Sequence, residues 1–446
     1  MRPRPSSFLQ SLCLFFPCLS ATSLAQQPAT QPRITQTLDE ATTTVLRGNV
    51  HPLARMQLDR GAAPASLPMQ RMLLVLKRSD QQEADLRRLL DEQQDRSSPN
   101  YHKWLTPDDF GRRFGPADQD IQTVTSWLQS HGFQIAQVSK GRTVIEFSGT
   151  AAMVQEAFRT SVHKYVADGV SHWANSTDPS IPTALTPVVT GVWTLHNFLK
   201  KPTLVMSPDR FSVESVRSAN PQASGSNGHH YLTPGDFAVI YTINPVYATM
   251  QGSGVTIAVV ARSDLITTDI FTYRQILGLS SPSLSIMTNG PDPGDLGGGE
   301  EAEVVLDTTW SGAVAPQANV QLVISASTDT TDGADLSAIY IVDNNLGDIM
   351  TESFSTCEAT ATSSQLAGMT ELAEQAAAQG ITYIVSSGDT GSAGCEDLSE
   401  ASASGPLSVN ALASTAFNVA VGGTIFNENG HDSNYWSSTT STPVTR

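Results

Sequence analysis

The second half of this 446-residue chain contains no lysine. Between residues 231 and 446 the only arginines are Arg262, Arg274 and Arg446, set against twenty-four Asp and Glu, a net charge of −21. The first 230 residues carry the opposite sign, +4. So negative a half is excluded from nucleic-acid binding, which needs cations against phosphates. Two units of opposite charge attract each other, and protonating the carboxylates is expected to separate them, pointing to an acidic working environment. A halophilic or solubilising surface is the other reading of the same excess.

Histidine is nearly absent from the same half, where His431 is the sole example. A serine–histidine–aspartate triad would have to use it, and it stands in a polar loop stretch, so acid–base work falls to carboxyls. Cysteine is scarce as well. Cys13 and Cys18 sit in the amino-terminal segment, leaving Cys357 and Cys395 without a CxxC pair or clustered histidines, and no zinc site is expected. In an oxidising compartment the pair forms one disulfide or remains two buried thiols. Long apolar runs are missing too, the best being residues 8–19, shorter than the ~20 residues of a spanning helix. With Arg2 and Arg4 before it and Ser23-Leu24-Ala25 after it, residues 1–25 read as a signal peptide cleaved after Ala25, and the product as secreted.

The periodicity divides the rest. The apolar run 71–77 has strand length, and 80–95 has helical spacing with Leu86, Leu89 and Leu90 on one side. A helix at 117–131, a strand at 143–147 and a helix at 151–159 follow, predicting a small α+β, ferredoxin-like domain over 45–200. Periodicity then lapses over 201–228, where prolines and the run Ala223-Ser224-Gly225-Ser226-Asn227-Gly228 predict an exposed linker open to cleavage. From 229 to 446 apolar strands at 254–260, 320–324, 348–351, 381–385 and 417–423 alternate with helices at 299–312, 332–344 and 364–379. That alternation predicts a doubly wound α/β domain on a parallel sheet.

Two segments bear the chemistry. Glu303 and Asp307 lie four apart on the first helix of that domain, on one face, where paired carboxyls resist ionising together and one retains a proton. An acidic helix start also serves simply as a solvated face favoured by the helix dipole. Asp389 ends a buried strand in the Gly-rich turn Ser386-Ser387-Gly388-Asp389, at the sheet edge where such folds place their sites. Protonated, it can donate to a developing oxyanion; otherwise it caps its own turn. A glycosidase-like pair of carboxyls would explain Glu303 but neither the first half nor the linker.

These residues resemble the sedolisin (serine-carboxyl peptidase) family, in particular its kumamolisin-like branch. The resemblance rests on Glu303-x-x-x-Asp307, Trp310-Ser311-Gly312-Ala313-Val314-Ala315-Pro316, Asp335-Leu336-Ser337-Ala338-Ile339-Tyr340 and Ser386-Ser387-Gly388-Asp389. The first half is similar to that family's activation propeptide through Ser98-Pro99-Asn100-Tyr101-His102-Lys103-Trp104-Leu105-Thr106-Pro107 and Phe110-Gly111-x-x-Phe114-Gly115. The resemblance implies a subtilisin-like fold, Glu303 as general base, Asp307 as its supporting carboxyl and Asp389 as oxyanion donor. It implies that Ser353-Phe354-Ser355 pairs with substrate backbone, although the family usually has Gly where Ser355 stands. It also places Cys357 and Cys395 where a disulfide could brace that strand and the oxyanion loop. The family's Gly-Thr-Ser-x-x-x-Pro nucleophile motif does not occur in 231–446, so the chain is expected to be truncated before its serine. The family's calcium ligands would likewise lie beyond Arg446, with no metal held within this chain. The implied activity is that of an acid-acting endopeptidase precursor, monomeric, cutting peptides and inhibited by its own propeptide. The alternative is a secreted, peptidase-like binding protein without turnover.

Overall fold

The computed structural model describes residues 30–202, 223–224, 230–281, 283–396, 402–403, 405–424 and 427. The signal segment 1–25, most of the linker 201–228 and His431 lie outside the described residues.

The apolar run near residue 71 forms strand β1 (Pro68–Leu76), buried continuously from Met72 onward. Ser79 caps the helix after it in a reciprocal box with Gln82, starting α1 (Asp80–Gln94). Thr106 and Pro107 start α2 (Pro107–Phe114), a helix the periodicity did not predict because Gly111 interrupts its two turns. Then follow α3 (Asp118–Ser130), β2 (Gln134–Val138), β3 (Val144–Thr150), α4 (Ala151–Phe158) and β4 (Val189–Val192). The four strands make an antiparallel sheet ordered β2-β3-β1-β4, the split βαβ arrangement expected of a ferredoxin-like domain.

After it comes the short β5 (Lys201–Pro202). The second unit contains β6 (Thr256–Ala261), α5 (Thr267–Ile276), β7 (Ser283–Thr288), α6 (Gly298–Val314), β8 (Asn319–Ile324), α7 (Gly333–Asn344), β9 (Ile349–Glu352), β10 (Phe354–Ser355), α8 (Ser363–Ala378), β11 (Thr382–Ser386) and β12 (Val419–Val421). Six of these strands form one wholly parallel sheet in the order β7-β8-β6-β9-β11-β12. It is the α/β sheet expected, with α5 and α6 on one face and α7 and α8 on the other. Strand β7 and helix α5 were not predicted: β7 is an edge strand with none of its six residues fully buried, and α5 starts without a capping side chain.

The run in β1 is apolar at every position because both of its faces are covered. Met72, Leu74 and Leu76 face the core of the first unit, with Trp127, Leu128 and Phe158. Leu73 and Val75 face the other way, sharing one core with Ile339 and Val342 of α7 and Met369 and Leu372 of α8. The two units are therefore packed through a common hydrophobic layer. Gly368 on α8 allows that approach: a Cβ there would stand 2.2 Å from the ring of Trp193. In a free helix Gly→Ala adds about 1 kcal/mol of stability. In the intact chain Gly368→Ala is expected to do the reverse, lowering the unfolding midpoint in a denaturant titration.

The expectation of a linker beginning at 201 is corrected at its first two residues. Lys201 and Pro202 pair antiparallel with β10, Lys201 opposite Ser355 and Pro202 opposite Phe354. Pro202 gives no local strand signal, and only the waiting edge of β10 makes this segment extended.

Candidate active site

Helix α6 begins at three consecutive glycines, with Gly297 and Gly298 both at positive φ (65° and 58°). Its first turn is acidic, and there the structural reading suffices: Glu300 is held by Arg262 at 2.6 Å. Glu303 is different, only 4% exposed. Asp307, one turn on and on the same face, is desolvated strongly enough to push its carboxyl up to about 7. The Ser353 hydroxyl opposes that shift, donating to Asp307 Oδ1 at 2.9 Å. The alternative of a solvated acidic face therefore fails for these two carboxyls.

Ser353 joins β9 to β10, so the helix bearing both carboxyls is tied directly to the strand implicated in substrate pairing. The Phe354 side chain does not reach the surface of that strand. It is buried in the shared core, with the Arg262 guanidinium 5.0 Å above its ring. Only its backbone is available for pairing, and β5 uses it. Pro202 of β5 lies on the other side against α6, 3.8 Å from where a Cβ on Gly299 would stand. The lane between β10 and the start of α6 thus holds a piece of this chain in extended form.

Asp389 approaches from the far side of β10. It follows β11 in a turn that needs Gly388 at φ 97°, where a Cβ would lie 3.9 Å from the Ser355 hydroxyl. Asp389 is exposed, and partial desolvation still raises its carboxyl above the ordinary range. Cys357 and Cys395 are joined in a disulfide, fastening the chain after β10 to the chain after this turn. The structure thus brings Glu303, Asp307, Ser353, Ser355 and the Asp389 turn around one strand.

A second group was not singled out from the sequence as a site. Lys200, the residue before β5, is buried with its ammonium on Asp335, and Glu352 stands 3.6 Å away. Asp332 accepts from the Lys200 backbone N–H at 2.8 Å and from Arg262 at 2.9 Å. Nothing in local spacing links residue 200 to residues 332, 335 and 352, so no sequence signal pointed to it. Among the described residues no group of three or more His, Cys, Asp or Glu is arranged to hold a metal ion. Among the same residues no helix is long and apolar enough to cross a membrane.

Comparison with known proteins finds relatives for both units. Residues 57–198 match the family model of the pro-kumamolisin activation domain. The chain is 29% identical over 310 residues to xanthomonalisin of Xanthomonas sp. (strain T-22), covering 65% of this chain and 36% of that protein. It is 26% identical to sedolisin of Pseudomonas sp. (strain 101) and 24% identical to kumamolisin of Bacillus sp. (strain MN-32). Those alignments cover 82% and 86% of this chain, and 62% and 67% of the respective relatives.

These matches support a sedolisin-family, kumamolisin-like precursor, the matched activation domain preceding the parallel-sheet unit that bears Glu303, Asp307 and Asp389. Measured against the first two relatives, it spans about a third and three fifths of their lengths.

Proposed function

We propose that this sedolisin-family chain is the secreted precursor of a serine-type endopeptidase that works in acid and uses carboxyls in place of histidine. The observation that carries the reading is the Asp307 carboxyl, raised to about 7 on the same helix face as buried Glu303 and bonded to Ser353 of the substrate strand. In the proposed reaction Glu303 takes the proton from the attacking serine hydroxyl, while Asp307, already protonated in acid, supports it as a hydrogen-bond donor along the helix face. The serine oxygen bonds to the scissile carbonyl carbon, and Asp389, protonated in acid, donates to the oxygen that becomes negative. Collapse expels the amine, which takes the proton back from Glu303, leaving an acyl-enzyme for water to cleave. Glu303 and Asp307 supply the acid–base groups and Asp389 the oxyanion donor; no residue of this chain is assigned as the serine nucleophile.

The amino-terminal unit acts in this reading as the inhibitor. Its exit strand lies along β10 as an extended substrate would, and it shares a hydrophobic core with α7 and α8. The protein acts as a monomer on proteins or peptides, with no part for nucleic acid or membrane.

The test is incubation of the full-length secreted product at pH 4, followed by intact mass, amino-terminal sequencing and hydrolysis of a denatured protein. The expected result is a new amino terminus between residues 201 and 230, appearing together with hydrolysis. A protein that binds peptides along β10 and releases no product after acid treatment is instead the peptidase-like binding protein.

A further inference from the structure

The three carboxyls around Lys200 lie on the face of the sheet opposite α6. Asp332 and Asp335 come from the start of α7, and Glu352 from the end of β9. Two of them have other support: Arg262 holds Asp332, and the Tyr383 hydroxyl donates to Glu352 at 2.5 Å. The remaining oxygen, Glu352 Oε1, is buried, accepts no hydrogen bond and stands 3.6 Å from the Lys200 ammonium. Asp335 makes its ion pair only with Lys200 among the described residues.

A buried ammonium among three carboxyls is costly to assemble unless its geometry is used, since desolvation consumes much of the attraction. Here the cation arrives on the segment that occupies the substrate lane. The β5 to β10 register runs antiparallel, so the chain moves from Ser355 towards Ser353, and hence towards Asp307, as it passes from residue 201 to 202. Lys200 therefore stands on the amino-terminal side of any bond presented to the carboxyl pair. Departure of the first unit would remove the ammonium and leave its seat beside the same lane.

We propose that the pocket of Asp332, Asp335 and Glu352 is a substrate subsite for a lysine side chain, occupied in the precursor by Lys200. The substrate lysine sits immediately before the two residues that pair with Ser355 and Phe354, on the amino side of the cleaved bond. A primary ammonium fits because Asp335 and Glu352 Oε1 approach from different elements and present single oxygens. The planar fork of an arginine would meet Arg262, which already lines the pocket on Asp332. This subsite rests on the peptidase reading for its use, while the pocket itself rests on geometry alone.

The experiment measures binding of a fluorescent peptide with the sequence of residues 198–204 to acid-processed full-length protein by anisotropy. A second peptide replaces the first lysine with norleucine. The norleucine peptide is expected to bind at least tenfold more weakly, and the Asp335→Asn/Glu352→Gln variant is expected to bind both peptides equally. Equal binding by the unsubstituted protein overturns the subsite. Where acid does not release the first unit, the Lys200→Ala precursor is read by thermal unfolding with n-butylammonium or n-butanol at equal concentration. A rise with the amine alone supports the pocket, and equal effects overturn it. Hydrolysis without lysine discrimination defeats the subsite and leaves the peptidase reading intact. Lysine discrimination without hydrolysis of any peptide does the opposite.

Discussion

Glu303→Gln is expected to reduce peptide hydrolysis by the full-length product by a factor of about 10² to 10⁴, the usual contribution of a positioned general base. The substitution keeps the shape of the side chain and its hydrogen-bonding length, and removes only the ability to accept a proton from a serine. Because a buried carboxylate is replaced by a neutral amide, the unfolding temperature is expected to stay level or rise. Initial rates on a quenched peptide at pH 4, with differential scanning calorimetry on the same samples, separate the two effects. Full activity in the variant would remove Glu303 from the mechanism; lost activity with a collapsed melting temperature would report misfolding instead. Asp307→Asn is the companion. With its carboxyl at about 7 and largely protonated in acid, it is expected to lose less at pH 4 than at pH 7.

Stability of the precursor is expected to peak at about pH 5 and to fall on both sides. Burial pushes Glu371 up to about 8 in spite of Arg78 beside it, and desolvation likewise raises Asp335, Glu352 and Glu374. A carboxyl whose folded value exceeds its unfolded one takes up its proton first in the folded chain. These groups therefore add stability as pH falls through about 8, in full once pH is below the ordinary carboxyl range. Asp332 is held low by Arg262 and Lys200, and Glu83 by Arg78 and Arg87. Their contribution is present above the ordinary range and disappears as pH falls through their lowered values.

The attraction between the oppositely charged halves is thus concentrated in a few buried pairs. Mild acid neutralises the raised carboxyls of these pairs in favour of the folded chain, and only stronger acid removes the contribution of the lowered ones. The broader expectation that protonating carboxylates separates the halves is narrowed to Asp332, which faces Lys200 of the first half, whereas Glu83 pairs within its own half. Arg78→Ala should expose the difference, because Arg78 and Glu374 form an ion pair with both side chains nearly inaccessible, 6% and 2%. Removing the cation leaves Glu374 and Glu371 without it and is expected to cost roughly 3–5 kcal/mol at pH 8, less at pH 5 where Glu371 is fully protonated. Urea unfolding of the precursor at pH 3, 5 and 8 checks this. A monotonic rise of stability with pH would contradict the raised carboxyls.

Much of the fold was legible because its signals are local. Asp80–Gln94 is bounded by a capping box, and the apolar runs in β6, β8 and β11 have the length and continuity of buried parallel strands. Elements without such signals were not: α2 carries Gly111 in its middle, and β7 lies at an exposed edge where none of its residues is fully buried. The same division holds for the site. Glu303 and Asp307 could be paired from spacing alone, because four residues on a helix always share a face. That Phe354 turns into the core, and that Ser353 bonds Asp307, could not be.

The sequence by itself determined the charge division, the helix that pairs two carboxyls, the alternation of strands and helices, and the resemblance to the sedolisin family. These are properties of neighbouring residues or of composition. Tertiary structure alone decided that Lys201 and Pro202 lie along β10, that Trp193 covers Gly368, and that Lys200 is seated among Asp332, Asp335 and Glu352. Each of those contacts joins residues 130 to 180 positions apart, where chain packing sets the partner and no local period records it.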